Sequence, residues 1–240
     1  MGIAQRLIGK VPGLRLPEPS IALVGPEGVG KSKLINELFG TRLRVSDTLR
    51  GTTEPIQRRP KTVNGQRLTV WDMPGVGGFA ADESDTIAYY REILPRVDTV
   101  LWAVDSPRGG AGLFEHWLTS MLPEIDARFD KKIFFVLTRA DLLGADDWMR
   151  EANVPNERLY RKLEARRREV ERQVERMVPS WTGTIPFCSA TMRYRLEFVQ
   201  REMLRHTPSA RAALALSDRL TDLSFERTVS PELLAVATDT

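Results

Sequence analysis

One cysteine, Cys188, and two histidines, His116 and His206, are all that 240 residues contain of these types. A single thiol excludes an internal disulfide, and two distant histidines without flanking ligand patterns argue against a Cys/His metal site. No run of about eighteen apolar residues is present, so no segment reads as a membrane-spanning helix. The opening stretch lacks the apolar core of a secretory signal, and Arg6 stands where a myristoylation motif needs Ser or Thr. The expected location is the cytoplasm. Net charge is scarce too: 35 Lys and Arg against 32 Asp and Glu leave +3, spread along the chain, which gives no electrostatic basis for binding DNA. Internal repeats and low-complexity tracts are lacking.

What is there is an ordinary globular composition, 42% hydrophobic and 28% charged, in which strand-like and helix-like patterns alternate. Residues 1–20 read as an amphipathic and Pro-rich leader, with Ile3, Leu7, Ile8 and Val11 beside Arg6 and Lys10. The favoured role for its apolar side is packing back on the domain, with peripheral membrane contact as the rival. Residues 21–206 read as one α/β domain, and 207–240 as a C-terminal helical extension and tail. Strands are expected at Ile21–Val24, Thr99–Val104, Ile133–Leu137 and Ile185–Cys188, and a hairpin joins Ile56–Val63 to Arg67–Asp72 through Asn64-Gly65. Helices are expected at Lys31–Phe39, capped by Gly40, and at Asp85–Leu94, Gly112–Ile125, Asn156–Val178 and Arg193–Arg205. Asn156–Val178 reads as a surface helix laced with ion pairs. Such alternation implies a mostly parallel sheet between helical layers, with ligands at the carboxyl ends of its strands.

Gly25-Pro26-Glu27-Gly28-Val29-Gly30-Lys31-Ser32 fits G-x-x-x-x-G-K-[ST] directly after a strand and before a helix. Glycine lets the backbone wrap closely round phosphates, so that N–H groups and the positive helix end face the negative charge. Gly25, Gly28, Val29, Gly30, Lys31, Ser32 and Lys33 are the expected phosphate-binding set, with Lys31 on the β/γ oxygens and Ser32 on Mg2+. Asp72-Met73-Pro74-Gly75 supplies D-x-x-G at a strand end: the carboxylate holds Mg2+ through water, and the Gly75 N–H senses a γ-phosphate. Thr138-Arg139-Ala140-Asp141 matches the guanine signature [NT]-K-x-D, with Arg139 for lysine and Thr138 for the commoner asparagine. An aspartate there accepts two hydrogen bonds that guanine offers and adenine does not. Ser189-Ala190 closes the set, the Ala190 N–H meeting guanine O6.

These elements, in this order, resemble the translation-factor-related class of GTPases, and within it the Era-like and YfjP-like proteins. The Trp-Asp-x-Pro-Gly element and the Thr-Thr-Glu before it are also similar to immunity-related GTPases. The resemblance covers about residues 21–206. It implies a Ras-like three-layer fold with a six-stranded sheet containing one antiparallel strand, GTP or GDP as ligand, Mg2+ as cofactor, and GTP hydrolysis driving a conformational switch. It also implies that Gly51-Thr52-Thr53-Glu54 is the first switch, with Thr53 (Thr52 as rival) on Mg2+. Residues 42–56 and 75–83 are then the moving parts.

Three departures or additions sharpen the expectation. Gly28 replaces the asparagine of potassium-using Era-like enzymes, which argues against potassium stimulation. Val76 occupies the place of the water-orienting glutamine, so hydrolysis must draw on another group. Arg50 lies three residues before Thr53, the offset at which heterotrimeric G-protein α subunits keep a cis-acting arginine, and is the candidate catalytic residue beside Lys31, Thr53 and Gly75. A homodimer or an activating protein is the alternative source. Ribosome or RNA association is the weaker partner, because nothing after Arg205 resembles the Era-like RNA-binding domain. The rival function is a GTP-sensing interaction or dimerisation module with little hydrolysis.

Overall fold

The computed structural model describes residues 19–39, 57–63, 66–75, 83–108 and 132–207. Five strands make one sheet: β1 (Ser20–Val24), β2 (Gln57–Val63), β3 (Gln66–Asp72), β4 (Thr99–Asp105) and β5 (Ile133–Thr138). Their order is β2-β3-β1-β4-β5. β2 runs antiparallel to β3, with Val63 facing Gln66 across the expected hairpin; the other neighbours are parallel. The fold is Ras-like, as the family resemblance implied.

Strand periodicity of two explains the layers. Val100, Trp102, Val104, Phe135 and Leu137 share one core with Tyr90 and Ile93 of α2 (Glu83–Ile93) and with Leu159, Leu163, Val170 and Val174 of α3 (Glu157–Met177). The residues between them, Leu101, Ala103, Phe134 and Val136, face the opposite core with Leu34, Ile35 and Leu38 of α1 (Lys31–Phe39) and Val199 and Met203 of α4 (Leu196–His206). Every residue of β4 and β5 is buried, which is why both read as continuous apolar runs.

α3 begins where the Asn156 side chain accepts a hydrogen bond from Leu159 N at 2.9 Å. Arg167 pairs with Glu164 at 2.7 Å and with Glu171 at 3.0 Å, and Arg166 with Glu169 at 2.9 Å. These pairs lie along the half-buried flanks, and Arg161 pairs with Glu157 on the exposed side, so the helix is laced with ion pairs as expected.

Three elements differ from expectation. The sixth strand is reduced to a bridge between Leu137 and Phe187. Leu137 N donates to Pro186 O and Cys188 N to Leu137 O, each at 2.8 Å; the next rung would need an N–H that Pro186 lacks. α4 starts at Leu196 rather than Arg193, because Arg193 (φ 52°) and Arg195 (φ 55°) are left-handed and cannot continue a right-handed helix. A small hairpin, β6 (Trp148–Met149) and β7 (Val154–Pro155), was not foreseen. Gly40, the Asn64-Gly65 turn, the helix expected at 112–125, the leader up to residue 18 and the extension beyond Thr207 lie outside the described residues.

Candidate functional site

The loop 25–30 leaves β1 at its carboxyl end and feeds α1. Gly25 has φ 144°, and a Cβ there would stand 2.5 Å from the Ala103 carbonyl oxygen, so only glycine lets the loop lie against β4. Gly30, at φ 89°, makes the last turn before the helix. Leu34 N donates to Gly30 O at 2.9 Å, which leaves the preceding N–H groups of the first turn facing the loop. Lys31 is buried, and its Nζ donates to Gly25 O at 3.0 Å and Pro26 O at 2.9 Å. Burial pulls its pKa down to about 8, against the raising effect of Asp72 and Glu27. An ammonium held in a glycine-rich loop at a helix N-terminus is a site for phosphate.

Asp72 ends β3 opposite Leu23 of β1. Its Oδ2 accepts a hydrogen bond from Ser32 Oγ at 2.7 Å, while its Oδ1 is buried without a hydrogen-bond partner. Burial raises the Asp72 pKa, opposed by the Ser32 hydrogen bond and by Lys31. A hydroxyl and a desolvated carboxylate side by side are hard oxygen donors that fit Mg2+. The chain past Asp72 is fixed by two contacts. Tyr90, fully buried, donates its hydroxyl to Pro74 O. A Cβ on Gly75 would lie 2.8 Å from Glu27 Cα and 2.9 Å from Glu27 N, so the D-x-x-G glycine is seated directly on the phosphate loop.

The other half of the rim is formed by β4, β5 and the segment after Phe187. Thr138 Oγ1 lies 2.9 Å from Val29 O and 3.2 Å from Val104 O, which ties β5 to the phosphate loop. Arg139, left-handed at φ 56°, donates through Nη1 to Gly28 O at 3.0 Å and Asp105 Oδ2 at 3.3 Å. The arginine thus reaches from the base signature back to the loop. Asp141 follows in a short 3-10 turn, and its Oδ1 is buried with no hydrogen-bond partner. Cys188 O accepts from Ala140 N at 3.0 Å, which brings Ser189 and Ala190 beside this turn. Ser189 is buried, and its Oγ accepts from Met192 N at 3.0 Å. Lys33 points elsewhere: its Nζ donates to Thr191 Oγ1 at 3.0 Å.

Three contributors had no role in the sequence reading. Asp105 is buried, with Oδ1 unpartnered and its pKa raised by burial against the pull of Arg139, Arg108 and Arg166. The signal for it in the sequence is an aspartate directly after the apolar run Val100–Val104. Tyr90 and Glu27 carried no such mark. Arg50, Thr53 and Val76 lie outside the described residues.

The glycine-rich loop, the Ser32–Asp72 pair and the turn that carries Asp141 are arranged as in a P-loop nucleotide-binding domain of the GTPase type. Residues 20–139 match the family described as 50S ribosome-binding GTPase, and the chain belongs to that family, whose domain binds guanine nucleotide. Among curated proteins it is 36% identical over 140 residues to the uncharacterised protein YkfA of Escherichia coli K12, covering 58% of this chain and 47% of that one. It is 32% identical over 116 residues to the tRNA modification GTPase MnmE of Cupriavidus metallidurans, covering 48% of this chain and 24% of MnmE. The chain thus spans about half of one relative and a quarter of the other. A structure of Era from Aquifex aeolicus bound to GDP and AlF4− superposes with a TM-score of 0.58 at 21% identity, covering 79% of this chain and 56% of Era; that likeness concerns the fold. Among the described residues no helix is long and apolar enough to cross a membrane.

Proposed function

We propose that this chain binds GTP with Mg2+ and hydrolyses it to GDP and phosphate, in the cytoplasm, as a conformational switch. The observation that carries the reading is the 2.7 Å hydrogen bond between Ser32 and Asp72, which joins the phosphate loop to D-x-x-G through the two oxygens suited to the metal. Ser32, and Asp72 through water, would hold Mg2+, with Thr53 as the switch ligand. The ion, when bound, neutralises charge on the β- and γ-phosphates. Lys31 leaves its two carbonyl partners for phosphate oxygens, and the Gly75 N–H reports the γ-phosphate to the following switch. Asp141 accepts guanine N1–H and the 2-amino group; its unpartnered oxygen makes adenine a costly occupant. Arg50 stabilises transition-state charge.

Single-turnover cleavage of GTP by purified protein, with Mg2+ and after chelation, is the test. Metal-dependent conversion to GDP is expected, and Arg50→Ala should slow it by about a hundredfold or more with affinity retained. Tight GTP binding without conversion would favour the second reading, a GTP-sensing interaction module, which Val76 at the glutamine position supports. A rate that climbs with protein concentration would assign the missing group to a second copy. The family's description also makes the ribosome a partner to test alongside an activating protein.

A further inference from the structure

The third residue of the phosphate loop is a carboxylate, and nothing in phosphate binding calls for one. A loop that holds a polyanion through N–H groups and a lysine loses affinity from a negative charge set among them. Glu27 is nonetheless there, and its surroundings are specific. Its Oε1 is buried without a hydrogen-bond partner. Its charge acts on the Lys31 ammonium. Its backbone is the surface on which Gly75 is seated, with a Gly75 Cβ placed 3.0 Å from Glu27 Cβ and closer still to Glu27 Cα. Glu27 therefore stands where the phosphate loop meets D-x-x-G, which in the proposed function is the γ-phosphate end of the site. The next residue along the chain from Gly75 is Val76, a side chain that cannot orient water.

From this juxtaposition we infer that Glu27 is a catalytic residue of GTP hydrolysis, its carboxylate accepting a hydrogen bond from the attacking water in place of the missing glutamine. The inference rests on the hydrolase reading above. The water oxygen forms a bond to the γ-phosphorus, the bond from that phosphorus to the β–γ bridging oxygen breaks, and its electron pair leaves on GDP. The water proton passes by way of Glu27 to the released phosphate, which restores the carboxylate. Arg50 acts on a different partner, the charge on the phosphoryl oxygens, so the two groups are complementary.

The test compares wild type, Glu27→Gln and Glu27→Ala as full chains with Mg2+. Affinity is read with a non-hydrolysable GTP analogue, chemistry by single-turnover cleavage of GTP, and transition-state complementarity by retention of GDP with AlF4−. Glu27→Ala is expected to bind the analogue as tightly as wild type or more so, to cleave GTP about a hundredfold more slowly or worse, and to lose the GDP–AlF4− complex. Glu27→Gln keeps an acceptor oxygen and should fall between. Cleavage by Glu27→Ala within about twofold of wild type overturns the inference alone. So does faster cleavage with tighter binding, which would make Glu27 a brake on Lys31, and so does a parallel loss of affinity and rate with a lowered melting temperature. Wild type that binds GTP and cleaves none overturns the hydrolase reading together with this one.

Discussion

Eight consecutive residues, 25–32, build the half of the rim proposed for phosphate, whereas the half proposed for the base is gathered from β4, β5 and the segment after Phe187. In the first, glycine conformation and helix start do most of the work, and the side-chain hydrogen bonds come from Lys31 to Gly25 O and from Ser32 to Asp72. In the second, side chains make the structure: Thr138 and Arg139 reach carbonyls of the phosphate loop at 2.9 and 3.0 Å, and Asp105 anchors Arg139. A backbone cradle is preorganised by local geometry and hinges on very few side chains. A cradle made of side chains shares its function among several, so single losses there are graded. The two halves should respond differently to substitution.

Lys31→Ala gives the largest expected effect. It removes the ammonium that the loop wraps and, with it, the charge-assisted contact proposed for phosphate. GTP and GDP affinity should fall by about a thousandfold or more by isothermal titration, equivalent to about 4 kcal/mol. Wild-type affinity in this variant would mean that the loop is not the phosphate site.

Asp141→Asn probes the base half and should act on specificity more than on total affinity. Guanine nucleotide binding is expected to weaken by about a hundredfold, since an amide cannot accept both guanine donors. Xanthine nucleotides should improve, because an amide donates where xanthine offers a carbonyl. Paired titrations with GDP and its xanthine analogue check this while melting temperature monitors the fold. Wild type that binds ATP as well as GTP would remove guanine from the assignment.

The same division explains what could be read from the sequence. The phosphate loop and the helix it feeds, Lys31–Phe39, were legible because motif, glycine pattern and helix face are contiguous. D-x-x-G and the base signature were legible as patterns at strand ends. Glu27 and Tyr90 were not, because their meaning comes from contacts made elsewhere in the chain: the backbone of Glu27 under Gly75, and the hydroxyl of Tyr90 on Pro74 O. The shortness of the sixth strand is not legible from the apolar residues of 185–188, because the ladder depends on the N–H that Pro186 lacks. The start of α4 is hidden for a similar reason, since the arginine-rich approach has helical composition and only the left-handed backbone of Arg193 and Arg195 holds the helix back to Leu196.

Asp105→Asn is the mildest and separates the two causes acting on that carboxylate. Burial, the leading cause, raises its pKa above the ordinary value, while Arg139, Arg108 and Arg166 pull it down. With the folded pKa raised, the native chain keeps a proton that the unfolded chain has already released. Wild-type stability attributable to Asp105 therefore declines as pH rises from about 4, the unfolded value, through the folded pKa, and stays at the lower level above it. Asparagine has no proton to release, so the melting-temperature difference between variant and wild type should shift toward the variant over that window and then level off. A difference that is flat with pH would show burial and arginine pairing in balance, and a shift in the opposite direction would show the arginines dominant. Nucleotide affinity should fall only several-fold, about 1 kcal/mol, because Arg139 keeps its hydrogen bond to Gly28 O. A loss as deep as that of Asp141→Asn would instead place the Asp105 carboxylate in direct contact with the nucleotide.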